Sequence, residues 1–265
     1  MIALLLAGGK GTRLGQTGRF FPKPLVPIGA EPVINHLVEK LLSLSDIRKI
    51  YILARKRQSI DDRTITHTLD LKTAFTNWKK VWYHHEEKIT VLYEDDLPGF
   101  KKNMEGAIYG INLFVNWFES EQKNKKKIDP LFIAAADNYV EDNLRDLLSK
   151  SYEYPRSIWN AYFDFGDKER IRRKYGTIEE DQGWIVDYEE KPDDPGLDQT
   201  KASTAVYIYP WEHIIKIKEY MKKHSYGTAA PGNLLKWFVT DIFPDLELNA
   251  DEWRNEGLGV RCYEL

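Results

Sequence analysis

The strongest constraint on the fold lies in the first fifteen residues, where an apolar segment runs directly into a glycine-rich loop. Met1 to Ala7 carries no polar side chain, which is typical of a strand buried on both faces of a parallel sheet. The next segment, Gly8 to Gly15, combines glycines with a lysine and an arginine. Because a loop that only reverses the chain needs no cations, this segment predicts close approach of the backbone to an anion such as a phosphate.

The glycine loop does not match the two best-known phosphate-binding motifs. It has no Lys-Ser or Lys-Thr pair, so it is not a Walker A loop, and Leu14 stands where a dinucleotide fingerprint needs its third glycine. A tight turn between a strand and a helix is the structural alternative. The cations favour phosphate binding, because Arg13 follows the glycines and Lys23 lies between two prolines in "PKPLVPIG".

Composition excludes several classes of protein. The 265 residues suffice for one sizeable α/β core, and the net charge of −3 gives no overall attraction to nucleic acid or an anionic membrane. A single cysteine, Cys262, excludes an internal disulfide and fits a reducing compartment. The apolar opening is too short for a signal peptide or a membrane span. We therefore expect a cytoplasmic protein with no nucleic-acid or membrane partner.

The first half alternates between strand and helix patterns. Predicted strands are Met1–Ala7, Lys49–Ala54, Lys88–Glu94 and Pro130–Val140, and predicted helices begin at Pro32 and cover about Thr68–Trp82 and Met104–Glu119. The prolines of Pro22–Pro27 predict extended chain. This alternation predicts a doubly wound sheet with its ligand site beyond the carboxyl ends of the strands, where Asp137 and Asn138 lie.

The second half has a different pattern. The segments "SIWNAYFDF", "YGTIEEDQGWIVDYEEKP" and "ASTAVYIYP" are strand-like, and "DQG" predicts a hairpin turn. Helices are predicted at Trp211–Lys223 and Asn233–Val239. The predicted fold class is α/β, a Rossmann-like doubly wound mixed sheet with an inserted β subregion.

Several motifs together resemble one family. "LLLAGGKGTRLG…PKPLVPIG" closely resembles the signature of sugar-1-phosphate nucleotidyltransferases, particularly the glucose-1-phosphate thymidylyltransferase branch. "AAADNYVEDNLRDLL", Tyr175-Gly176, "EEKP" at Glu189 to Pro192, "ASTAVYIYP" and "APGNLLKWF" resemble later motifs of that family, in the family's order.

The resemblance implies a reaction and a division of the chain. It implies transfer of a nucleotidyl group from dTTP or UTP to a hexose 1-phosphate, foremost glucose 1-phosphate, with release of pyrophosphate. Residues 1–265 would form a single domain, with 1–150 as its nucleotide-binding half and 151–265, including the β subregion, as its sugar-binding half. The partners would be the nucleoside triphosphate and the sugar 1-phosphate, the cofactor Mg²⁺, and the assembly a homo-oligomer.

The resemblance also assigns roles to residues. Arg13 and Lys23 would be catalytic, and Asp137 would bind Mg²⁺. The nucleotide would be held by Leu6, Ala7, Gly8, Gly9, Gly11, Thr12, Arg13 and Gly106. The sugar phosphate would be held by Tyr175, Gly176, Glu190, Lys191 and Tyr207.

The sequence departs from the family pattern at several positions. Gln16 and Gly18 replace a proline and a threonine, and "NMEGA" matches the base-contacting segment only in Gly106 and Ala107, which leaves the base undetermined. Ala205 stands where many members have glycine. The chain also ends before the family's segment with the second metal carboxylate. Asp241 is the nearest substitute; a shortened chain, one carboxylate with more water, or loss of catalysis are the alternatives.

Other interpretations remain open. Guanylyl transfer to mannose 1-phosphate is the nearest enzymatic alternative, and a catalytically silent nucleotide-binding regulatory homologue is the alternative of a different class. Locally, Asp137 could cap a helix, Glu190 and Lys191 could form a surface ion pair, and Tyr207 could serve only for packing.

Overall fold

The computed structural model describes residues 1–9, 17–61, 66–123, 128–141, 144–196, 198–224, 230–244 and 250–265. The chain divides into two compact units. The first contains Met1–Ile128 and Ala134–Glu141, and the second contains Asp129–Ile133 and Asp142–Leu265.

The first unit is built on parallel strands with helices between them. Its strands are β1 (Ile2–Leu6), β2 (Pro27–Ile28), β3 (Glu31–Pro32), β4 (Lys49–Ala54), β5 (Arg57–Asp61), β6 (Thr66–Asp70) and β7 (Ile89–Tyr93). Its helices are α1 (Thr17–Phe20), α2 (Val33–Leu42), α3 (Leu71–Lys80) and α4 (Ala107–Glu121). Short 3₁₀ helices cover Lys23–Leu25, Tyr83–His85 and Glu94–Asp96. Strand β8 (Leu131–Ala135) is divided between the two units.

The central sheet of the first unit confirms the predicted βαβ pattern. Strands β1, β4 and β7 pair in parallel, with Ile2 opposite Lys49 and Ile50 opposite Ile89. Helix α2 follows Pro32, whose fixed φ suits a helix start, and buries Val33, Ile34, Leu37, Val38 and Leu41. Each fully buried aliphatic side chain contributes about 1.5–3 kcal/mol to stability, so this apolar helix face holds α2 on the sheet.

Two predictions for the first unit are wrong in detail. The helix predicted over Thr68–Trp82 begins only at Leu71, because residues 66–70 form β6, which pairs with β5 in an antiparallel hairpin. Asp70 is the last residue of that strand, and its side chain caps α3 by accepting a hydrogen bond from the Thr73 amide. The segment Pro22–Pro27 is not extended throughout, because residues 23–25 form a 3₁₀ turn. The first turn of a helix tolerates proline, since the amide that proline lacks would have no partner there.

The second unit contains most of the antiparallel pairing. Its strands are β9 (Ile158–Asp164), β10 (Gly176–Asp181), β11 (Trp184–Glu190), β12 (Lys201–Tyr209) and β13 (Val260–Glu264). Its helices are α5 (Leu144–Glu153), α6 (Lys168–Ile171), α7 (Trp211–Ile214), α8 (Ile217–Lys223), α9 (Gly232–Trp237) and α10 (Ala250–Asn255). The strand order is β10–β11–β13–β9–β12, and β13 runs parallel to β9 whereas β12 runs antiparallel to it.

The hairpin predicted at "DQG" is confirmed, since β10 and β11 pair antiparallel around Gln182 and Gly183, both of which have positive φ. The helix predicted over Trp211–Lys223 is instead two, α7 and α8. The helix predicted over Asn233–Val239 begins one residue earlier, and residues 238–242 continue it as a π-helix. Strand β8 ends at Ala135, five residues before the predicted boundary, because Asn138 turns back to the Ala135 carbonyl.

No helix among the described residues is both long enough and apolar enough to cross a lipid bilayer.

Candidate functional site

The described part of the glycine loop leaves the carboxyl end of β1. The Ala7 amide donates to the Leu53 carbonyl at 2.8 Å, which holds the loop's first residue against β4. Gly8 and Gly9 follow and are exposed. The Ala136 amide donates to the Leu6 carbonyl at 2.9 Å, so the segment that carries Asp137 starts beside the glycine loop. The first unit therefore places predicted nucleotide-binding backbone and the predicted metal ligand at neighbouring strand ends.

Lys23 forms an ion pair with Asp137. Buried Pro22 and Pro24 flank Lys23 within the 3₁₀ turn, so the backbone that carries this lysine is restrained on both sides. The Lys23 side chain is 38% exposed and the Asp137 side chain 19% exposed. The Lys23 ammonium and the Asp137 carboxylate are therefore both accessible to a ligand.

The residues around Asp137 fit a magnesium ion shared with a substrate. No group of three His, Cys, Asp or Glu side chains that could hold a metal is present among the described residues. Mg²⁺ is commonly held by one or two carboxylates together with substrate phosphates and water, so one partly exposed carboxylate is a sufficient protein ligand. Asp241, the predicted substitute, is an exposed residue of the π-helix and accepts a hydrogen bond from the Thr240 hydroxyl.

A partly buried ion pair lies beside Gly8, and the sequence interpretation missed it. Arg55 Nε donates to Glu94 Oε2 at 2.9 Å, and the Glu94 side chain is only 8% exposed. A Cβ built on Gly8 would lie 3.6 Å from Glu94 Oε1, and one built on Gly110 would lie 2.7 Å from it. Burial raises the pKa of Glu94 against the opposing effect of Arg55. Glu94 thus packs between the loop after β1 and helix α4.

The same arginine holds the segment that leads into α4. Arg55 Nη2 donates to the Met104 carbonyl at 2.5 Å, and the guanidinium lies 5.8 Å from the centre of the Phe100 ring. Gly106 follows with φ of +119°, a conformation that favours glycine, and precedes the first residue of α4. Arg55 and Glu94 therefore support the segment that the resemblance links to the base.

In the second unit, Gly176 and Glu190 are directly opposite each other across β10 and β11. Lys191 Nζ lies 3.1 Å from Glu190 Oε1. The Glu190 side chain is 16% exposed and the Lys191 side chain 41% exposed. The structure thus brings Gly176, Glu190 and Lys191 together at the end of the hairpin strands. Tyr207 lies near them, since burial first and the charge of Glu190 second raise the pKa of its phenol.

Lys191 has a strained backbone. Its φ of +51° lies in the left-handed region, which costs a residue with a Cβ about 1–2 kcal/mol. The segment after it is held in place, since Arg173 Nε donates to Asp193 Oδ1 at 2.8 Å and the Arg173 amide donates to the Pro192 carbonyl at 3.0 Å. These contacts tie the residues just after the lysine to Arg173.

Tyr175 and Tyr207 have contrasting environments. Tyr175 is exposed, and its ring centre lies 5.5 Å from that of Phe165. Tyr207 is 2% exposed, and its hydroxyl lies 3.4 Å from Ser203 Oγ. Both roles in sugar binding stay predictions. The predicted nucleotide residues Gly11, Thr12 and Arg13 lie outside the described residues.

The sequence contained a clue to the Arg55–Glu94 pair but little indication of the polar contacts that Tyr188 and Ser203 make. Arg55 and Glu94 immediately follow the strands β4 and β7, at the carboxyl edge where ligand sites of such sheets lie. By contrast, Tyr188 and Ser203 lie within strands β11 and β12, and no sequence pattern singled out either residue. Their contacts depend on side-chain neighbours that strand patterns do not reveal.

Comparisons with known proteins agree with this architecture. A family model described as "Nucleotidyl transferase" matches residues 2–257. A structure provisionally named a glucose-1-phosphate thymidylyltransferase, from Bacillus anthracis in complex with a sucrose, superposes with a TM-score of 0.70 at 20% identity. The match covers 99% of this chain and 87% of that one.

A second solved structure, a UDP-glucose pyrophosphorylase complexed with UDP-glucose, superposes with a TM-score of 0.57 at 20% identity. This match covers 82% of the chain and 79% of the other. At such identities, the likeness shows the fold. It confirms the predicted α/β class with its mixed sheet.

Proposed function

The chain belongs to the nucleotidyl transferase family, and from that premise we propose that it transfers a nucleotidyl group to a sugar 1-phosphate. The proposed donor is dTTP or UTP, and the leading acceptor is glucose 1-phosphate. The observation that carries the proposal is the ion pair of Lys23 with Asp137, whose segment starts beside the residues that lead into the exposed Gly8 and Gly9. That arrangement provides backbone amides, a cation and a carboxylate at the edge of one sheet.

The proposed reaction needs no protein nucleophile. An oxygen of the sugar phosphate attacks the α-phosphorus of the triphosphate and forms a new phosphorus–oxygen bond. The bond from the α-phosphorus to the oxygen that bridges it to the β-phosphorus breaks, and its electron pair leaves with pyrophosphate. Since both reactants are polyanions, the site must mainly orient them and offset their repulsion.

We assign the triphosphate to the first unit. Gly8 and Gly9 are exposed, so their amides would bind phosphate oxygens, and the ammonium of Lys23 would exchange its ion pair with Asp137 for a contact with the α-phosphate. Arg13 would bind the leaving pyrophosphate, as its position in the motif implies. Asp137 would hold Mg²⁺, which when bound supplies additional positive charge to the phosphates.

We assign the acceptor to the second unit. Glu190 would accept hydrogen bonds from sugar hydroxyls, and Lys191 would bind the sugar phosphate as a point charge. Gly176, opposite Glu190 on β10, has no side chain, and the space this leaves beside Glu190 is filled by the Tyr188 phenol.

The direct test is pyrophosphate release with each of dTTP, UTP, GTP and ATP in the presence of glucose 1-phosphate and Mg²⁺. A parallel series uses mannose 1-phosphate, and reactions without acceptor or with excess chelator are the controls. We expect acceptor-dependent release with dTTP or UTP. Release only with GTP and mannose 1-phosphate would select guanylyl transfer. Nucleotide binding without release in any combination would select the regulatory alternative and overturn the proposal.

A further inference from the structure

The hydroxyl of Tyr188 occupies a gap that exists only because two neighbouring residues are glycine. A Cβ built on Gly176 would lie 1.9 Å from this hydroxyl oxygen, and a Cβ built on Gly232 would also lie 1.9 Å from it. Tyr188 is 1% exposed. The phenol is therefore packed between strand β10 and the first residue of helix α9, and its position is fixed from both sides.

Tyr188 and Glu190 lie on the same face of β11, because they are two residues apart on a strand. The Tyr188 hydroxyl donates to Glu190 Oε2 at 2.8 Å. The same carboxylate oxygen lies 2.2 Å from where a Cβ of Gly232 would be. Oε2 of Glu190 thus accepts the hydrogen bond from Tyr188 and packs against Gly232, and Oε1 faces Lys191.

Further buried polar groups lie behind the phenol. Asn160 Nδ2 donates to Ser203 Oγ at 2.9 Å, and Ser203 Oγ lies 3.4 Å from the Tyr207 hydroxyl. Burial raises the pKa of Tyr188 well above its ordinary value, with the charge of Glu190 adding to the rise and a hydrogen bond with Ser203 opposing it. The phenol keeps its proton at any physiological pH, so it acts as a hydrogen-bond donor.

We propose that Tyr188 is a positioning residue, whose hydroxyl holds the Glu190 carboxylate in the orientation that receives the acceptor sugar. The proposal rests on the proposed function, in which Glu190 binds sugar hydroxyls. Gly176 and Gly232 belong to the same arrangement, because a side chain at either position would displace the phenol. A tyrosine that only filled the core would lose little when it is changed to phenylalanine.

The test compares Tyr188→Phe with Tyr209→Phe, which alters a second buried tyrosine of the same unit. We expect Tyr188→Phe to raise KM for the sugar phosphate about tenfold, as loss of one charge-assisted hydrogen bond implies. KM for the triphosphate and kcat should stay within about twofold of wild type. Tyr209→Phe should leave all three constants within the same range.

A double variant tests whether Tyr188 acts through Glu190. In a Glu190→Ala background, adding Tyr188→Phe should change KM for the sugar phosphate no further, since the carboxylate that the phenol holds is gone. An unchanged KM in Tyr188→Phe alone, or an equal additional rise in the double variant, overturns the proposal. So does loss of folding in Tyr188→Phe, because the hydroxyl would then serve the core.

Crystal structures separate this proposal from the proposed function. We expect the Glu190 carboxylate of Tyr188→Phe to move from its wild-type position beside Gly232, and an unmoved carboxylate overturns the proposal whatever the activity. If the wild-type protein releases no pyrophosphate with any substrate pair, the proposed function fails, and the two crystal structures still decide the role of Tyr188.

Discussion

The two units present their candidate residues in different ways. In the first unit, Lys23 and Asp137 lie on segments outside the strands, their side chains are partly exposed, and their main visible contact is with each other. In the second unit, Glu190 is the last residue of a strand, and it is held by a buried phenol that is itself enclosed by glycines.

This difference follows from what each unit is proposed to bind. A triphosphate is flexible and highly charged, so exposed cations and backbone amides on loops can follow it as its charge redistributes. A hexose is neutral over its ring and differs from its isomers only in the directions of its hydroxyls. Distinguishing such isomers requires an acceptor group that does not move, which a strand with buried support provides.

The largest effect is expected from Lys23→Ala. Without the ammonium at the α-phosphate, kcat/KM should fall about 10²- to 10³-fold, by analogy with loss of one donor to a developing anion. The circular dichroism spectrum should stay unchanged, because the Lys23–Asp137 pair is accessible to solvent and contributes little to stability.

The matched control is Lys49→Ala, which removes a lysine at the amino end of β4 whose ammonium donates to the Glu87 carbonyl. Steady-state kinetics should place this control within about twofold of wild type. Equal losses of kcat/KM in Lys23→Ala and Lys49→Ala would show that the position of Lys23 at the strand ends has no special importance for the reaction.

Gly232→Ala tests how tightly the second unit encloses the Tyr188 phenol. A Cβ there would lie 1.9 Å from the Tyr188 hydroxyl, so we expect the free energy of unfolding to fall by about 1–3 kcal/mol in urea titrations. Gly196→Ala is the control, because its Cβ would find its nearest atom at 3.6 Å. Similar stabilities of the two variants would mean that the enclosure of the phenol is loose.

Glu94→Gln tests whether the buried carboxyl of the first unit carries a cost. Burial raises the pKa of Glu94 above its ordinary value of 4.5, so folding favours its protonated form. Its contribution to stability is complete at low pH and is lost as the pH rises through the raised pKa. Relative to the glutamine variant, wild type should therefore lose unfolding free energy from about pH 4.5 upward. A pH-independent difference in urea titrations would contradict this.

The smallest effect is expected at Ala205. This residue has φ of +56°, between residues 203 and 206 where the pairing of β12 with β9 shifts register. Glycine adopts this conformation without strain, so Ala205→Gly should stabilise the protein by about 0.5–1 kcal/mol. Ala202→Gly, at an ordinary strand position, should destabilise it by about 0.5–1 kcal/mol. Thermal unfolding of the two variants should therefore shift in opposite directions.

The sequence predicted those features that depend on local patterns. Continuous apolar runs located β1 and β4, and the left-handed requirement of the turn located the hairpin at Gln182 and Gly183. The carboxyl ends of parallel strands meet at one edge of a sheet, so the sequence also predicted that the glycine loop and the Asp137 segment start next to each other.

The features that the sequence did not predict depend on contacts between distant residues. The sequence offered no physical reason for the glycine that many family members have at position 205, whereas the positive φ of Ala205 supplies a backbone reason for it. Nothing in the strand pattern distinguished Tyr188, because its hydrogen bond with Glu190 and its enclosure by Gly232 appear only once α9 packs onto β11. Hydrophobic periodicity records which face is buried and does not record which polar atoms meet there.

The enclosure of Tyr188 by Gly176 and Gly232 has a consequence for the history of such sequences. A tyrosine at this position fits without strain only when both neighbours are glycine, whereas the glycines make no demand on the residue at 188. During divergence, the least costly order is therefore replacement of the tyrosine by a smaller residue first and gain of a side chain at either glycine afterwards. Aligned relatives would display this order as tyrosine rarely co-occurring with alanine at the other two positions.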